Sequence, residues 1–341
     1  MYAALNTPGC PVEDRGMLDP DIDKGRLELL YSQLARILLQ LSMPSLARIG
    51  SLSQIDKFTW DVTRRPLTMN MSELVRIGGL PQSKLPDLNA TFDTSSSYME
   101  ALANINIEHL VHQRNDSVKS ADDCRRKFVA RQLFRKLARE NKLTNPLLEK
   151  GPFRIWCDDL WPANVLLSEN PTKIAGVVDW EFIYAAPVEF SFAPPWCDEG
   201  EDTAIQQGLL REDQRLSGPM YESWESGDFW IMYAATHSFA FDEIYWHKID
   251  PRFFGPTKDK DLEGVEGAWK ERLCLLDDEG KEEMELLVAR KWMGMDTRAL
   301  SWDPDEYTLA VHEQLKSQEK AKVENILEES MDSEPTHDET E

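Results

Sequence analysis

The feature that most constrains the fold is a set of three short apolar runs in the middle of the chain. They are "FRIWC" (153–157), "NVLLS" (164–168) and "IAGVVDW" (174–180), and turn formers such as "SENPTK" separate them. Runs of this length and composition, bounded by turn formers, are typical of buried strands. Acidic residues stand directly beside two of the runs, where an unpaired carboxylate is costly. We therefore expect these acids to have a functional role or a hydrogen-bonding or ionic partner.

Outside this region the apolar residues recur at helical spacing. The stripe of residues 22–42 consists of Leu27, Leu30, Tyr31, Leu34, Leu38 and Leu41. Spacings of three and four predict an amphipathic helix, and Asp19-Pro20-Asp21 is a plausible start for it. Residues 95–115 and 121–142 predict two more helices.

Two longer segments complete the expected fold. Residues 50–90 carry several Pro and Gly and predict loops with short helices, whereas helical patterns return over 203–316. We therefore expect an α+β fold that is mostly helical, with a few short strands around the loops that carry the acids.

Charge and composition narrow the functional classes. The chain has 38 basic and 61 acidic residues, a net charge of −23, which repels nucleic acid and anionic membranes and favours cationic partners or metal ions. No apolar run approaches the roughly 20 residues that cross a bilayer. Five cysteines without metal-ligand spacing, and no signal peptide, predict reduced thiols and a cytoplasmic location. We expect neither nucleic-acid nor membrane partners.

One predicted helix contains a basic stretch that has two interpretations. "DDCRRKFVARQLFRKLAREN" (122–141) holds seven basic residues among apolar ones. Such a helix could bind calmodulin or a nucleic acid, or it could pack on the core with a solvated basic side. In so acidic a protein we favour the packing interpretation.

The acids beside the predicted strands are spaced for phosphoryl transfer. Asp159 and Asn164 are five residues apart, and Asp179 follows the apolar part of the third run, just before Trp180. A carboxylate and an amide oxygen, completed by waters and substrate phosphates, suit Mg²⁺. Asp159 could then accept a hydrogen bond from a hydroxyl and direct it at phosphorus, as in kinase-type transfer. D-x-x-x-x-N, then a strand, a turn, a strand and an Asp is the order of a kinase-like catalytic loop and metal loop.

Two other interpretations of these acids are weaker. Solvated surface acids do not explain why Asp159 and Asp179 adjoin buried-type strands. A two-carboxylate hydrolase that used the same pair would leave Asn164 without a role.

The stretches "CDDLWPANVLL" and "IAGVVDWEF" resemble the aminoglycoside phosphotransferase family, whose catalytic loop runs H-x-D-L-x-P-x-N and whose metal loop reads D-W-E or D-F-E. "RPLTMNMSELVRIGGLP", "DDCRRKFVARQLFRKL" and "EFSFAPPWC" resemble the fungal branch of that family. The resemblance extends over about residues 1–312. It implies the C-terminal (large) lobe of a protein-kinase-like fold and transfer of phosphate from ATP, with Mg²⁺, to a small-molecule hydroxyl.

The resemblance also implies roles for individual residues. Asp159 would be the catalytic base that orients the acceptor hydroxyl. Asn164 and Asp179 would bind Mg²⁺ and, with Leu166 under the adenine, the nucleotide. The family's His, two residues before the catalytic Asp, is Cys157 here. Asp158 is an additional carboxylate that we expect to point to solvent.

The lobe that grips ATP in such enzymes is not found in the sequence. No G-x-G-x-x-G occurs in the chain, and Lys24 is its first lysine. We interpret residues 1–18 as a hinge remnant after that lobe, residues 19–316 as the large lobe and residues 317–341 as an acidic disordered tail. The tail prediction rests on eight acids and no Lys or Arg between Glu324 and Glu341.

Two hypotheses about function stay open. In the first, the chain is a phosphotransferase that transfers phosphate very slowly or not at all without the ATP-gripping lobe. In the second, it is a non-catalytic kinase-like binding or scaffold module, with a protein partner or a dimer mate that covers the exposed hinge. An acidic surface suits a cationic small-molecule acceptor, such as an amino sugar or a choline-like amine.

Overall fold

Helices make up most of the secondary structure in the computed structural model. The structure describes residues 1–7, 18–113, 118–168, 173–192, 205, 211–212, 215–257 and 265–295. Met1–Asp296 forms one compact unit. The predicted tail and most of the predicted hinge remnant lie outside the described residues.

The elements follow in chain order. The helices are α1 (Tyr2–Leu5), α2 (Lys24–Ser42), α3 (Met69–Arg76), α4 (Ser95–His112), α5 (Ala121–Arg139), α6 (Ser217–Ser226), α7 (Asp228–Thr236), α8 (Phe241–Ile244), α9 (Asp250–Phe254), α10 (Val265–Arg272) and α11 (Asp278–Met295). The strands are β1 (Ser51–Gln54), β2 (Trp60–Arg64), β3 (Phe153–Cys157), β4 (Val165–Leu167), β5 (Ile174–Val177) and β6 (Ile183–Pro187). A π-helical turn, Tyr245–Ile249, joins α8 to α9.

The strands form three separate antiparallel pairs, β1–β2, β3–β6 and β4–β5. The three apolar runs of the sequence are β3, β4 and β5, so that prediction is confirmed. The hairpin β1–β2 was not predicted, because its second strand is polar and buries only Val62. Strand β6 was also missed, because its sequence IYAAP has no polar–apolar alternation.

Helix α2 agrees with the predicted helix but begins later. Asp23 is its N-cap and accepts a hydrogen bond from the backbone N–H of Arg26 at 2.8 Å, so the helix begins at Lys24 rather than near Asp19. Caps of this kind satisfy a backbone donor that the first helical turn leaves unpaired. The helix buries Leu30 and Leu34 and packs against β3 and β5.

The basic helix α5 lies inside the fold and packs on α4, α10 and α11. Arg131 is 2% exposed and forms an ion pair with Asp242, with Nη1 and Oδ1 2.5 Å apart. Arg125 forms a bidentate pair with Glu285 of α11, with both N···O distances 2.8 Å. These ion pairs support the packing interpretation of the helix.

None of the helices in the described part of the chain is both long enough and apolar enough to cross a membrane.

Glu189 is a buried acid with a raised pKa. Glu189 lies in the 3₁₀ turn Val188–Phe192, is 7% exposed and accepts a weak hydrogen bond from the backbone N–H of Asn145 at 3.4 Å. Burial raises the pKa of this carboxyl from 4.5 to about 7. The folded protein therefore binds a proton there that the unfolded chain has already released.

Glu189→Gln should stabilise the protein more at alkaline than at acidic pH. Ionisation of Glu189 lowers the free energy of unfolding as pH rises from about 4.5 to about 7, and glutamine removes that loss. We expect a gain of about 1–3 kcal/mol at pH 8 and little change at pH 5, measured by urea denaturation. Glu225→Gln, at an exposed acid, is the control. An equal gain at both pH values would contradict the assignment.

Candidate active site

Two strand pairs bring the predicted catalytic and metal loops together. Strand β3 ends at Cys157 opposite Ile183 of β6, and the backbone N–H of Asp158 donates to the carbonyl of Phe182 at 3.2 Å. The chain then turns through Pro162–Asn164 into β4, which pairs with β5. The N–H of Val178 donates to the Asn164 carbonyl at 2.9 Å. Since Val178 immediately precedes Asp179, this bond joins the catalytic loop to the residue before Asp179.

The side chain of Asn164 is bonded to Asp159. Its Nδ2 donates to both the carbonyl oxygen and the carboxylate Oδ2 of Asp159, each at 2.8 Å. A planar amide with its nitrogen engaged in this way turns its oxygen away from those partners. The arrangement fixes the Asp159 carboxylate and leaves Asn164 Oδ1 as an acceptor for another group.

Asp179 lies just past the end of β5 in a left-handed backbone conformation, with φ = 63°. Few residues other than Gly adopt this conformation, although Asp is enriched there, and such residues concentrate at functional sites. The indole N–H of Trp180 donates to the Val177 carbonyl at 3.1 Å and closes the turn. The side chain of Asp179 is exposed.

Cys157 lies among the three carboxylates. The backbone N–H of Asp159 donates a hydrogen bond to its sulfur, which favours the thiolate and lowers the pKa of Cys157. Burial raises the pKa of the Cys157 thiol to about 11, and the negative charges of Asp158, Asp159 and Asp179 add to the shift. The residue is therefore a neutral, structural thiol.

The prediction that Asp158 points to solvent was wrong. Its Oδ2 accepts a hydrogen bond from the backbone N–H of Met69 at 2.9 Å. Its Oδ1 accepts from the indole of Trp156 at 2.8 Å and from the hydroxyl of Tyr184 at 3.0 Å. Burial raises the pKa of this carboxyl, and the three donors oppose that shift. Asp158 thus fastens the first residue of α3 to β3 and β6.

Sequence reasoning missed the three partners of Asp158 for different reasons. Met69 is 89 residues away in the chain, and Tyr184 lies in the strand that was not predicted. Trp156 was the one available signal, because a buried indole N–H usually finds an acceptor and Asp158 is two residues away.

Leu166 and Val178 form exposed apolar surface on or next to the β4–β5 pair. Leu166, opposite Gly176 in the register, is 48% exposed, and Val178 is 42% exposed. The structure thus places the residue predicted to lie under the adenine at the surface of the strand.

The loop offers few ligands to a metal ion. Within the described ranges, no three His, Cys, Asp or Glu side chains are grouped so that they could hold a metal. Asp179 and Asn164 offer one carboxylate and one amide oxygen. Mg²⁺ commonly has few protein ligands and takes the others from water and phosphate, so these two residues fit it.

Two cavities border the loop and share Trp156 and Asp158 in their walls. The larger, about 420 Å³, lies between α2 and the loop and is lined mainly by leucines and by Trp161 and Pro162. The smaller, about 200 Å³, lies between the start of α3 and helix α7. The indole of Trp156 therefore stands between them.

A family model described as the phosphotransferase enzyme family matches residues 78–226. The matched stretch contains the loop with Asp159 and Asn164, the β4–β5 pair and Asp179. It supports the resemblance to aminoglycoside phosphotransferases and a phosphotransferase type of chemistry in general. Comparisons with curated proteins and with solved structures find no match.

Asp158→Ala should destabilise the fold, because it leaves three donors without their acceptor. We expect the free energy of unfolding at pH 7 to fall by about 1–3 kcal/mol in urea denaturation. The free energy of unfolding of Asp158→Asn should lie between those of Asp158→Ala and the unaltered protein, since one amide oxygen replaces two carboxylate oxygens. Asp93→Ala, at an exposed acid, is the control. An effect no larger than the control's would show that these bonds contribute little.

Cys157 should react with iodoacetamide far more slowly than Cys274. Cys157 is 5% exposed and its pKa of about 11 leaves about one thiolate in a thousand at pH 8, whereas Cys274 is exposed. Peptide mass spectrometry of the native protein gives both rates in one sample, and unfolding in urea should equalise them. Equal rates in the native protein would mean that the Cys157 sulfur is open to solvent.

Proposed function

We propose that this chain carries the catalytic and metal loops of an ATP- and Mg²⁺-dependent phosphotransferase that acts on a hydroxyl group of a small molecule. The observation that carries the proposal is the double hydrogen bond from Asn164 to Asp159, together with the Asn164–Val178 backbone bond. These bonds join a carboxylate that can take a proton to two oxygen ligands suited to Mg²⁺. The family match over this stretch supports the same chemistry.

Asp159 is the catalytic base in this proposal. Its carboxylate accepts the proton of the acceptor hydroxyl while the hydroxyl oxygen forms a bond to the γ-phosphorus of ATP. The bond from that phosphorus to the bridging oxygen breaks, and ADP leaves with the electron pair. Of the two carboxylate oxygens of Asp159, Asn164 engages Oδ2 and leaves Oδ1 for the acceptor.

Asn164 and Asp179 are the proposed ligands of Mg²⁺ in the nucleotide complex. The ion, when bound, offsets the negative charge of the phosphates. The orientation of Asn164 supports this role, because its two contacts to Asp159 use its nitrogen and leave its oxygen. Leu166 is proposed to lie under the adenine, and its exposed position on β4 supports that role.

The proposal extends to the wider setting of the site. The mostly helical α+β fold is compatible with the large lobe of a kinase-like protein. The motifs quoted from the sequence favour the fungal branch of the aminoglycoside phosphotransferase family. The reduced thiols favour a cytoplasmic location. The net charge of −23 favours a cationic acceptor.

Asp179→Asn should weaken Mg²⁺–ATP binding by about tenfold or more, because a metal ligand loses its charge. Asp159→Asn should leave that affinity within about twofold, since an amide oxygen can still accept the Asn164 hydrogen bond. In any form that transfers phosphate, Asp159→Asn should lower the rate by about 10²–10⁴. Calorimetric titration with Mg²⁺–ATP, repeated with EDTA, measures the binding, and release of ADP measures transfer.

Asp93→Asn provides the matched control for both variants. Equal losses of nucleotide affinity in Asp159→Asn and Asp179→Asn would contradict the separate roles. If the unaltered chain does not bind Mg²⁺–ATP at all, the non-catalytic binding module becomes the better explanation of the fold.

A further inference from the structure

The smaller cavity beside the catalytic loop has an aromatic lining. Its walls include Met69, Trp156, Phe190, Phe229, Met232 and Tyr233. Trp156 is held by its hydrogen bond to Asp158 and meets Phe190 edge-on, with ring centres 6.2 Å apart. Concave sites lined by aromatic side chains are typical of binding sites for small molecules.

The aromatic lining continues from the cavity to the surface. Gly227, with φ = 82°, ends α6 and allows α7 to begin at the next residue. Trp224, which is 42% exposed, lies against Phe229 at 5.6 Å between ring centres, and Phe229 lies against Tyr233 at 5.6 Å. Tyr233 is stacked on His237 at 3.8 Å. These four residues form an aromatic row whose inner members line the cavity.

Most of the polar groups that line the cavity are engaged within the protein. Both carboxylate oxygens of Asp158 already accept hydrogen bonds, from three donors. The amide of Asn70 is bonded to Ser238 through both its nitrogen, at 3.0 Å, and its oxygen, at 3.1 Å. The hydroxyl of Thr236 donates to the Met232 carbonyl at 2.9 Å. Glu73 and His237 remain as polar lining residues on the side of α3 and the end of α7. They can bind a polar or cationic substituent of the acceptor while the rings contact its apolar body.

We infer that the smaller cavity binds the acceptor, and that the acceptor is an alcohol carried on a flat aromatic ring. This inference rests on the proposed function. Asp158 lines the cavity and directly precedes Asp159 in the chain, so the cavity borders the loop that carries the proposed base. The ring contributes the binding contacts, and its hydroxyl substituent is directed to Asp159. An acceptor longer than the cavity would continue along the aromatic row toward Trp224.

Binding of two simple probes, without nucleotide or Mg²⁺, tests the inference. Benzyl alcohol is a neutral ring with a hydroxyl group, and choline is a cation with a hydroxyl group but no ring. Ligand-observed saturation-transfer NMR should detect benzyl alcohol and not choline at the same concentration. Phe229→Ala should weaken benzyl alcohol binding about fivefold or more, since it removes one wall of the cavity.

A second variant guards against loss of folding in Phe229→Ala. Met69 is 36% exposed at the cavity rim, and Met69→Trp should fill the cavity and block benzyl alcohol without removing a buried ring. Phe58→Ala is the matched control, because Phe58 is an aromatic residue on the β1–β2 turn, 85% exposed. Thermal melting of each variant checks the fold.

The outcomes separate this inference from the proposed function. Absence of benzyl alcohol binding, stronger binding of choline, or binding that survives Met69→Trp would overturn the inference. Mg²⁺–ATP binding that depends on Asp179 would survive any of these results. Conversely, benzyl alcohol binding that Met69→Trp abolishes, in a chain that does not bind Mg²⁺–ATP, would support the ring site and overturn its assignment to a phosphoryl acceptor.

Discussion

A carboxylate taken out of water has to be surrounded by donors, and Asp158 finds them in three separate segments of the chain. The backbone of Met69, the indole of Trp156 and the hydroxyl of Tyr184 converge on its two oxygens. The donors and the carboxylate satisfy each other, because a buried donor without an acceptor costs free energy, as does a buried acceptor without a donor. The start of α3 and the β3–β6 pair are therefore held where the loop begins. The position of Asp159, the next residue, depends on these hydrogen bonds.

The parts of the fold that follow from local pattern could be predicted from the sequence. The leucine spacing of α2 and the apolar runs of β3, β4 and β5 decide those elements within a few residues. The closeness of Asn164 to Asp159 also follows from local spacing, since five residues and a turn join them. The direction of Asp158 does not, because its donors come from distant segments and its own neighbours in sequence allow either direction. The hairpin β1–β2 is stabilised by pairing rather than by a buried face, so its residues lack an apolar pattern.

Cys157 adds no positive charge to a loop that holds three carboxylates. Burial raises the pKa of its thiol, and the negative charges of Asp158, Asp159 and Asp179 raise it further. The thiol therefore stays neutral and does not offset those charges. The carboxylates rely instead on hydrogen bonds, which Asp158 receives from three donors and Asp159 receives from Asn164.

Trp156 separates two cavities while its indole N–H is bonded to the residue before Asp159. Neither cavity can widen at this wall without moving the indole, and movement of the indole takes a donor from Asp158. An occupant too large for the smaller cavity would therefore loosen the segment that fixes Asp159, even if its rings gained contact area. A ligand that is too large would then lower the turnover rate more than it lowers the binding affinity. The position of the Trp156 indole would in this way select ligands by size.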